Sequence, residues 1–551
     1  MKVYDAVANA FVKEGGSTIF GLLGDGQMTW WSAMAMRSEV NIIDVREEGA
    51  ALAMAEGWAM ATGKVGVCSV THGPGVSRMT TSLITATRSR TPIVIYVSKT
   101  PFNNEGNDQF LNQEKLVNAT GAGYIEVLTP SFAEDAVRQA FYRARLESRP
   151  IVLCVPLDIQ GKDCEAEGDE YRPSWTMFNG QQRIRPDETA LNAAVDIISQ
   201  SKKPVLLLGR GAMATEATQA ADRLAKRIGA LICTTLVAKG TLGDSEYHAG
   251  ISGLFATRAV MQLYEDVDCV IAIGASLNPR TIAGGYLYPN AKIIHIDVAP
   301  HIMMGNEQGA DCYIQGDAAT TVREIEDILA TRGTAMEGLR TAAVRKVLGD
   351  ADRDPTEFEI EPGTVDPREA VKIIDDRLPE NVGVITGCAH SFAFPVMGMK
   401  KPRPIHVFST AFGCIGQAMA NAIGVAVAID QPHIYMEGDG GAMQNIQELD
   451  TAVRLGLKLL FVILNDEAYG AEYHKLRSKG LNGNLSIVRT PDFGAVGRGF
   501  GCRGRLAKTL DDIGAGIDEF LAGDGPMVLD IRISRNVTSI PFRRLHFGQD
   551  A

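Results

Sequence analysis

The sequence predicts an α/β protein made of three doubly wound parallel-sheet domains. Short apolar runs alternate with stretches of helical periodicity along most of the chain, and most runs end in glycine-rich or polar turns. This alternation is typical of parallel strands that helices cover on both faces. Polar sequence interrupts it at 161–187 and again at 331–364, where a helix precedes a linker. The interruptions predict domains at 1–160, 188–335 and 366–540.

Composition excludes several classes of protein. The chain of 551 residues exceeds one hydrophobic core, and its 45% hydrophobic content is that of an ordinary globular protein. A net charge of −12 argues against nucleic acid or an anionic membrane as the main partner. The nine cysteines show no CxxC spacing, which favours a reducing cytoplasm over a disulfide framework or zinc site. With no signal-peptide core and no membrane-spanning apolar run, we expect a soluble cytoplasmic protein.

The first predicted domain starts with a helix over 3–14, which two glycines end. Strands are predicted at 17–23, 40–45, 65–70, 91–97 and 150–156, and an Ala- and Met-rich helix begins after the second of them. A glycine-rich turn at 71–75 follows the third strand and leaves main-chain amides free.

The central predicted domain has strands at 204–208, 231–235, 269–273 and 293–297, and a helix at 215–228. Its first strand ends in Gly209, Arg210 and Gly211, which resemble part of a dinucleotide fingerprint but lack the third glycine. A nucleotide site and a plain tight turn both fit this short pattern.

The third predicted domain repeats the rhythm of the first. Strands are predicted at 382–386, 405–408, 434–436, 459–464 and 527–533, and helices at 443–455 and 511–521. Glycine-rich turns follow the first two strands, at 387–391 and 412–417. Two similar sheets therefore flank a third one along the chain.

The βαβ unit at 434–470 carries the most chemical information. Its first strand ends in the turn Gly438, Asp439, Gly440 and Gly441. The glycines permit a tight turn whose main-chain amides can face an anion such as phosphate. The second strand ends in Asn465 and Asp466, and the carboxyl ends of parallel strands meet at the ligand-binding edge of a sheet. Asp439 and Asp466 should therefore lie together, and two carboxylates beside a phosphate suit Mg²⁺.

This GDG turn, followed by a polar pair after a buried strand, resembles the cofactor signature of the thiamine diphosphate (ThDP) enzymes. The stretches REEGAALAMAEGWAMATGKVGVCSVTHGPG and IHVFSTAFGCIGQAMANAIG are most similar to the catalytic subunit of acetolactate synthase. The layout also resembles the pyrimidine-binding, central and diphosphate-binding domains of the acetolactate synthase and 2-oxo acid decarboxylase branch. The resemblance covers nearly the whole chain and implies ThDP and Mg²⁺ as cofactors.

The resemblance also implies a ligand set for the metal. Asp439, Asp466 and the main-chain carbonyl of Ala468 match the family's ligands, and the cofactor site continues into Tyr469 and Gly470. Asn-Asp stands here where the family usually has Asn-Asn, so Asn465 is the alternative second ligand.

The family uses a glutamate to protonate the pyrimidine ring of the cofactor, and Glu47 matches its motif position. Glu47 precedes a helix of small and apolar residues, where burial would raise its pKa toward the range of acid/base catalysis. Alternatively, Glu47 and Glu48 are first-turn acids that complement the helix dipole. Together with the GDG unit, we favour catalysis. Glu48 occupies a position that often holds Gln in the family.

Further cofactor contacts follow from the same resemblance. Ile415 matches the bulky residue over which the cofactor bends, and Gly413 matches the main-chain acceptor for its amino group. The turn that helps hold the diphosphate corresponds to Cys388, Ala389, His390 and Ser391. The family's cofactor lies between the first domain of one subunit and the third domain of another, which implies a homodimer or homotetramer.

Four polar residues are candidates for acting on the substrate: His72, Gln113, Glu472 and His474. Glu472 matches a glutamate of pyruvate decarboxylase, whereas acetolactate synthase has an apolar residue there, and His474 could equally be a surface residue. We favour a ThDP- and Mg²⁺-dependent enzyme that cleaves a 2-oxo acid beside its carbonyl and joins the fragment to a second carbonyl, as acetolactate synthase does. The alternatives are a 2-oxo acid decarboxylase that releases an aldehyde and a 2-hydroxyacyl-CoA lyase.

The sheets alone also fit a nicotinamide-dependent dehydrogenase or a nucleotide-binding protein without catalysis. A dehydrogenase should carry a full GxGxxG motif, which the sequence lacks, and a binding protein needs neither Glu47 nor the paired turns. The resemblance leaves the central domain open to FAD or ADP, with Arg280 similar to a flavin contact.

Overall fold

The computed structural model describes residues 1–102, 104–165, 170–177, 183–242, 245–300, 303–305, 307–350 and 354–548. Within these residues the chain forms three sheets of six strands, and the strands in each sheet are parallel. Helices lie between successive strands, as in doubly wound α/β proteins. The predicted fold class is confirmed. None of the helices in the described part of the chain is long and apolar enough to cross a bilayer.

The first sheet has the strand order β2-β1-β3-β4-β6-β5. Its strands are β1 (Thr18–Gly21), β2 (Asn41–Asp44), β3 (Gly66–Ser69), β4 (Ile93–Lys99), β5 (Gly123–Glu126) and β6 (Pro150–Pro156). The helices of this part are α1 (Val3–Lys13), α2 (Met28–Ala35), α3 (Glu48–Thr62), α4 (Pro74–Arg78), α5 (Thr80–Arg88), α6 (Gln113–Ala119), α7 (Ala133–Glu147) and α8 (Leu157–Gln160), and α9 (Ser174–Met177) follows.

The central sheet has the order β12-β11-β10-β7-β8-β9, the arrangement of dinucleotide-binding folds. Its strands are β7 (Pro204–Leu208), β8 (Leu231–Thr234), β9 (His248–Ile251), β10 (Cys269–Ile273), β11 (Lys292–Asp297) and β12 (Cys312–Gln315). Its helices are α10 (Glu188–Gln200), α11 (Thr215–Arg227), α12 (Arg258–Glu265), α13 (Ala318–Thr331) and α14 (Ala342–Asp350).

The third sheet has the order β14-β13-β15-β16-β18-β17 and so repeats the topology of the first. Its strands are β13 (Gly383–Thr386), β14 (His406–Phe408), β15 (His433–Gly438), β16 (Leu459–Asn465), β17 (Arg503–Ala507) and β18 (Met527–Arg532). The helices are α15 (Pro367–Arg377), α16 (Ala393–Gly398), α17 (Gln417–Ala428), α18 (Asp439–Ala442), α19 (Leu449–Arg454), α20 (Gly470–Ser478), α21 (Phe493–Phe500), α22 (Leu510–Ala522) and α23 (Ile540–Phe542).

The predicted continuous helix over 443–455 is wrong. The structure has the single turn α18, a short 3₁₀ turn at Ile446–Glu448 and then α19. Asn445 takes a non-helical conformation and donates from Nδ2 to the Gly416 carbonyl at 2.6 Å. Three residues later, Glu448 accepts from the Arg46 main-chain N–H at 3.0 Å. These contacts with distant segments replace the helical hydrogen bonds.

The first predicted linker, 161–187, is partly packed onto the first sheet. Tyr171 is buried in the core between α1 and α7, and its hydroxyl donates to Glu14 Oε1 at 3.0 Å. Ser174 N donates to the same carboxylate at 2.6 Å. Residues 166–169 and 178–182 of this linker, and 351–353 of the second, lie outside the described residues.

The first and third sheets are joined through α3 and α17. Asn421 on α17 donates from Nδ2 to the Ala53 carbonyl at 2.7 Å. A Cβ added to Gly57 would lie 2.1 Å from Asn421 O, and one added to Gly424 would lie 2.0 Å from Met54 O. The helices therefore approach at two glycines where a methyl group does not fit, and their residues share one core cluster.

We expect Gly57→Ala to destabilise the protein by about 1–3 kcal/mol, because the added methyl group overlaps a main-chain oxygen that cannot rotate away. Gly499→Ala is the matched control. Gly499 lies in α21 with nothing within 4 Å of its added Cβ, and alanine is the better helix former. The thermal unfolding midpoint of both variants tests this. Equal unfolding midpoints in the two variants would show that α3 and α17 can move apart to fit the methyl group without a loss of stability.

Candidate functional site

A pocket lies at the carboxyl edge of the third sheet, where β13, β15 and β16 end side by side. Ligands bind at this edge of open parallel sheets, where the strand order reverses. The pocket is lined by Cys388, Ala389, His390, Ser391, Ile415, Glu437, Gly438, Asp439, Gly440, Gly441, Asp466, Ala468, Tyr469, Gly470, Ala471 and Glu472. The structure thus brings together the turn after β13, the GDG turn and the turn after β16.

The turns around the pocket contain glycines at which a side chain does not fit and residues with positive φ angles. A Cβ on Gly441 would lie 2.3 Å from the Glu437 carboxyl carbon, and one on Gly470 would lie 2.6 Å from Asp466 Oδ2. Ala389 and Glu467 have positive φ angles of 69° and 53°, in the left-handed region that non-glycine residues rarely adopt. Such strain concentrates where the surrounding structure shapes a binding site.

Asp439 and Asp466 are the two carboxylates that the sequence placed at this edge, and both are buried. Burial, and then repulsion by Asp466, raises the pKa of Asp439, and burial raises the pKa of Asp466. Two buried carboxylates that line one pocket and repel each other favour a bound divalent cation. Among the described residues no group of three or more His, Cys, Asp or Glu could hold a metal, so a cation here would complete its shell with main-chain, water or phosphate oxygens.

Asn465, the alternative ligand, is turned away from the pocket. Its Nδ2 donates to Asp530 Oδ1 at 3.0 Å, and its Oδ1 accepts from Glu467 N at 3.1 Å and Thr490 Oγ1 at 3.0 Å. Asp466 instead lines the pocket and accepts from Ala468 N at 3.1 Å. This arrangement supports Asp466 as the second oxygen ligand, since Asn465 Oδ1 already accepts two hydrogen bonds elsewhere.

Glu437 is a pocket residue that sequence reasoning missed. It is 1% exposed, and its Oε1 accepts from Gly416 N at 3.2 Å while Oε2 accepts from the Tyr435 hydroxyl at 2.7 Å. Burial raises the pKa of its carboxyl group. Glu437 joins the GDG turn to the turn that precedes α17. The available signal was an acid at the end of an otherwise apolar strand.

The turn after β13 faces the pocket. Cys388 through Ser391 all line it. Burial raises the pKa of Cys388 to about 11, so its side chain is a neutral thiol near pH 7. Burial also holds the pKa of His390 well below its usual value, which makes this imidazole neutral.

The other predicted pocket residues fall into three groups. Ile415 and Tyr469 line the pocket, with the Tyr469 ring 2.9 Å from the position of a Cβ on Gly440. Glu472 lies at the pocket mouth, exposed, with Lys475 Nζ 3.2 Å from its Oε1. Gly413 has a φ of 75° in an exposed turn and is absent from the pocket lining of the described residues.

His474 is not the surface residue that the sequence allowed. It is 1% exposed and lies behind His390, with the ring centroids 4.3 Å apart. Its Nδ1 is 3.0 Å from the Thr538 hydroxyl, and burial lowers its pKa to about 4. His474 supports the pocket wall from outside the lining.

His72 and Gln113 lie together on the first sheet. His72 Nδ1 is 2.8 Å from Ser98 Oγ. Gln113, which begins α6 and not a loop as expected, donates from Nε2 to the Ser98 carbonyl at 2.8 Å and accepts at Oε1 from Gly73 N at 2.9 Å. The Gln113 amide therefore holds the turn after β3, and neither residue lines the pocket described above.

Glu47 caps α3, with Oε2 accepting from Ala50 N at 2.7 Å. The sequence offered a different helix-start role as the alternative to catalysis, that of a first-turn acid complementing the helix dipole. Glu48 lies beside it, and Arg78 Nε is 3.5 Å from Glu47 Oε1 and 3.3 Å from Glu48 Oε2. The two carboxylates lie at one edge of the first sheet. Arg46, the residue before Glu47, donates from its main-chain N–H to Glu448 of the third domain.

The turn after β7 on the central sheet favours the tight-turn interpretation. A Cβ on Gly209 would lie 2.3 Å from Gly274 O. Glycine at this position therefore allows the turn after β7 to pack closely against the turn after β10. The Arg210 guanidinium donates to the Ser89 carbonyl of the first sheet, and burial lowers its pKa. Arg280 is exposed at the same end of the sheet.

Three family models match the chain, one for each sheet. Residues 1–120 match the thiamine pyrophosphate enzyme N-terminal TPP binding domain, residues 191–325 the central domain, and residues 386–531 the C-terminal TPP binding domain. The three matches follow the chain order of a single family and together cover most of its length.

Full-length relatives are similar along the whole chain. It is 27% identical to a probable acetolactate synthase large subunit from Methanocaldococcus jannaschii, over 97% of this chain and 92% of the relative. It is 26% identical to acetolactate synthase isozyme 2 large subunit from Escherichia coli, over 96% of this chain and 94% of the relative. It is also 26% identical to a sulfoacetaldehyde acetyltransferase from Alcaligenes xylosoxydans, over 98% of this chain and 94% of the relative.

Proposed function

Because the chain belongs to the thiamine pyrophosphate enzyme family, and is a ThDP-dependent enzyme of the acetolactate synthase type, we propose that it uses ThDP with Mg²⁺ to cleave a 2-oxo acid. The fragment that remains after loss of CO₂ is then joined to a second carbonyl compound. The paired buried carboxylates Asp439 and Asp466 beside the glycine turn carry this proposal.

The residues of the pocket fit this cofactor and metal. Asp439, Asp466 and the Ala468 carbonyl would hold Mg²⁺, and the turn from Cys388 to Ser391 would face the diphosphate. Ile415 lines the pocket where the two rings of the cofactor would bend. When bound, ThDP supplies a carbon nucleophile that stabilises negative charge on the substrate carbon. The protein orients it and moves protons.

We propose that Glu47 donates a proton to the pyrimidine ring of the cofactor, as its match to the family motif indicates. Glu48 is a second candidate, because the Glu47 carboxylate is engaged with Ala50 N while Glu48 faces the same edge. Every lining residue of the pocket named above comes from the third domain, and we propose that the first-domain carboxylate of another copy completes it, as the family's cofactor site implies. This supports a homodimer or a homotetramer.

The relatives support carboligation but differ in their named activities. Two are acetolactate synthase large subunits and one is a sulfoacetaldehyde acetyltransferase, at nearly equal identity. A specific observation favours the decarboxylase alternative: Glu472 places a carboxyl group at the pocket mouth. An acid there can protonate the fragment, which then leaves as an aldehyde. The 2-hydroxyacyl-CoA lyase alternative has no comparable support in the pocket.

We expect Glu472→Val to raise the ratio of ligated product to free aldehyde, because valine cannot donate a proton. Product analysis with a turned-over 2-oxo acid, with and without an acceptor aldehyde, measures the ratio. Glu472→Gln is the matched control, since it keeps the size but not the acidity. A ratio unmoved in both variants removes Glu472 from protonation, and a wild type without any ligated product favours the decarboxylase.

The proposal as a whole is tested by cofactor extraction from purified protein, followed by a screen of 2-oxo acids. Absence of ThDP binding in the presence of Mg²⁺ would refute it. FAD or ADP in the central domain stays a prediction, with the exposed Arg280 as its candidate contact. A flavin absorbance band in the purified protein would support FAD. We also propose a cytoplasmic location, as the nine free cysteines favour.

A further inference from the structure

The chain beyond β18 folds back along the outer side of the pocket. We call residues 537–547 the C-terminal strap, which contains α23 and the π-helical turn Arg543–Phe547. Val537, Ser539 and Phe542 of the strap are buried. The strap is therefore packed against the protein along most of its length.

Two arginines anchor the strap. Arg544 donates to the carbonyls of Leu254 at 3.0 Å and Ala256 at 2.6 Å, both on the central part of the chain. Arg543 forms a buried ion pair with Asp354, whose Oδ1 is 2.8 Å from Nη2. These contacts set the position of the preceding residues relative to the third sheet.

The strap contacts His390 directly. The main-chain N–H of Ser539 donates to His390 Nε2 at 3.0 Å. The Phe542 ring packs edge-on against the imidazole, with centroids 4.8 Å apart at 77°. His474 also packs against this imidazole, with ring centroids 4.3 Å apart, and its Nδ1 lies 3.0 Å from the Thr538 hydroxyl. The imidazole is thus fixed between strap residues and His474.

This contact determines which nitrogen of His390 carries the hydrogen. A main-chain N–H can only donate, so Nε2 must be the acceptor, and in a neutral imidazole the hydrogen then lies on Nδ1. Nδ1 faces the pocket, because it lies close to two lining residues, Gly470 and Asp466. A Cβ added to Gly470 would lie 3.5 Å from His390 Nδ1 and 2.6 Å from Asp466 Oδ2. His390 accordingly presents a donor on the side where the diphosphate would sit.

We propose that Ser539 is a positioning residue whose main-chain N–H fixes the Nδ1–H tautomer of His390, which in turn donates a hydrogen bond to the diphosphate in the pocket. The second half of this statement rests on the proposed function. The first half concerns the protein alone and is testable without any ligand.

The tautomer is measured by ¹⁵N NMR of the ligand-free full-length protein labelled at its nine histidines, with His390→Asn identifying the resonances of His390. We expect a protonated Nδ1 and an unprotonated Nε2. A protonated Nε2 would overturn the proposal, whether or not the protein binds ThDP.

Two substitutions then separate the two ring nitrogens. An asparagine amide can place its NH₂ near Nδ1, whereas a glutamine amide reaches toward Nε2. With inorganic pyrophosphate and Mg²⁺ in calorimetric titration, we expect His390→Asn to bind within about threefold of wild type and His390→Gln to bind at least about tenfold more weakly, the effect of losing one hydrogen bond to an anion. Equal losses in both variants would contradict the donor role of Nδ1.

The strap itself is tested by replacing Ser539 with its α-hydroxy acid analogue, which turns the N–H into an ester oxygen without adding bulk. Ser539→Ala, which keeps the N–H, is the matched control. We expect the ester to move the hydrogen of His390 to Nε2 and to weaken pyrophosphate binding by about tenfold, while the alanine variant behaves as wild type. An ester variant with an unchanged tautomer would refute the role of Ser539. A wild type that fails to bind both pyrophosphate and ThDP would refute the proposed function but not the tautomer.

Discussion

Glu47→Gln is expected to keep ThDP bound while losing turnover by about 10²–10⁴-fold, the usual contribution of one acid/base group. Glutamine retains an oxygen that can accept from Ala50 N, so the cap of α3 remains. The amide cannot exchange a proton with the pyrimidine ring. Deuterium exchange at C2 of bound ThDP measures the lost step directly.

Glu48→Gln is the matched control for this prediction, because the two carboxylates are adjacent and both face Arg78. If the Glu47 variant exchanges C2 as fast as wild type and the Glu48 variant does not, the proton donor is Glu48. Glu47 would then be the helix cap alone. The thermal unfolding midpoint of both variants separates a capping effect from a catalytic one.

Asp439→Ala and Asp466→Ala are each expected to abolish Mg²⁺-dependent ThDP binding. Each variant removes one of the two buried carboxylates that line the pocket, and Mg²⁺ tolerates few substitutes for such ligands. Calorimetric titration of ThDP with and without Mg²⁺ measures the effect. Unchanged affinity in Asp466→Ala would return Asn465 to consideration, although its amide is engaged by Asp530 and Thr490.

Asp466→Asn is the informative control, because it restores the amide that the family usually carries at this position. An amide oxygen is still a hard ligand and can still accept from Ala468 N, so we expect measurable binding. Loss of binding in Asp466→Asn as complete as in Asp466→Ala would show that charge, not geometry, is required.

The same carboxylates predict a pH dependence. Their pKa values are raised in the metal-free protein, so they hold protons that Mg²⁺ must displace. Mg²⁺ affinity should therefore rise with pH through the raised pKa values. The stability of the metal-free protein should change with pH in the opposite direction. Acids whose pKa values are raised in the folded state contribute stability at low pH, and this contribution is lost as the pH rises. Titrations at several pH values, in wild type and Asp466→Asn, test the first statement.

Most strands were predictable, and the missed ones share a cause. β5, β9, β12 and β17 were not predicted, and each lies at the edge of its sheet. Their residues are only partly buried, as in β17, where four of the five residues are intermediate in exposure. β16, by contrast, is buried throughout and was predicted as a continuous apolar run. An edge strand covers less apolar area, so its sequence carries a weaker signal.

The sequence by itself determined the α/β class, the three sheets and the position of the turn at Gly438–Gly441, because strand burial and glycine turns leave local patterns. Tertiary structure alone decided which side chains face the pocket. Asn465 and Asp466 are neighbours, yet successive side chains at a strand end point in opposite directions, and Asp530 captures only the first. Glu437 and Ser539 gained their roles from partners 21 and 149 positions away. Such contacts depend on how the chain folds in space, and no local sequence pattern encodes them.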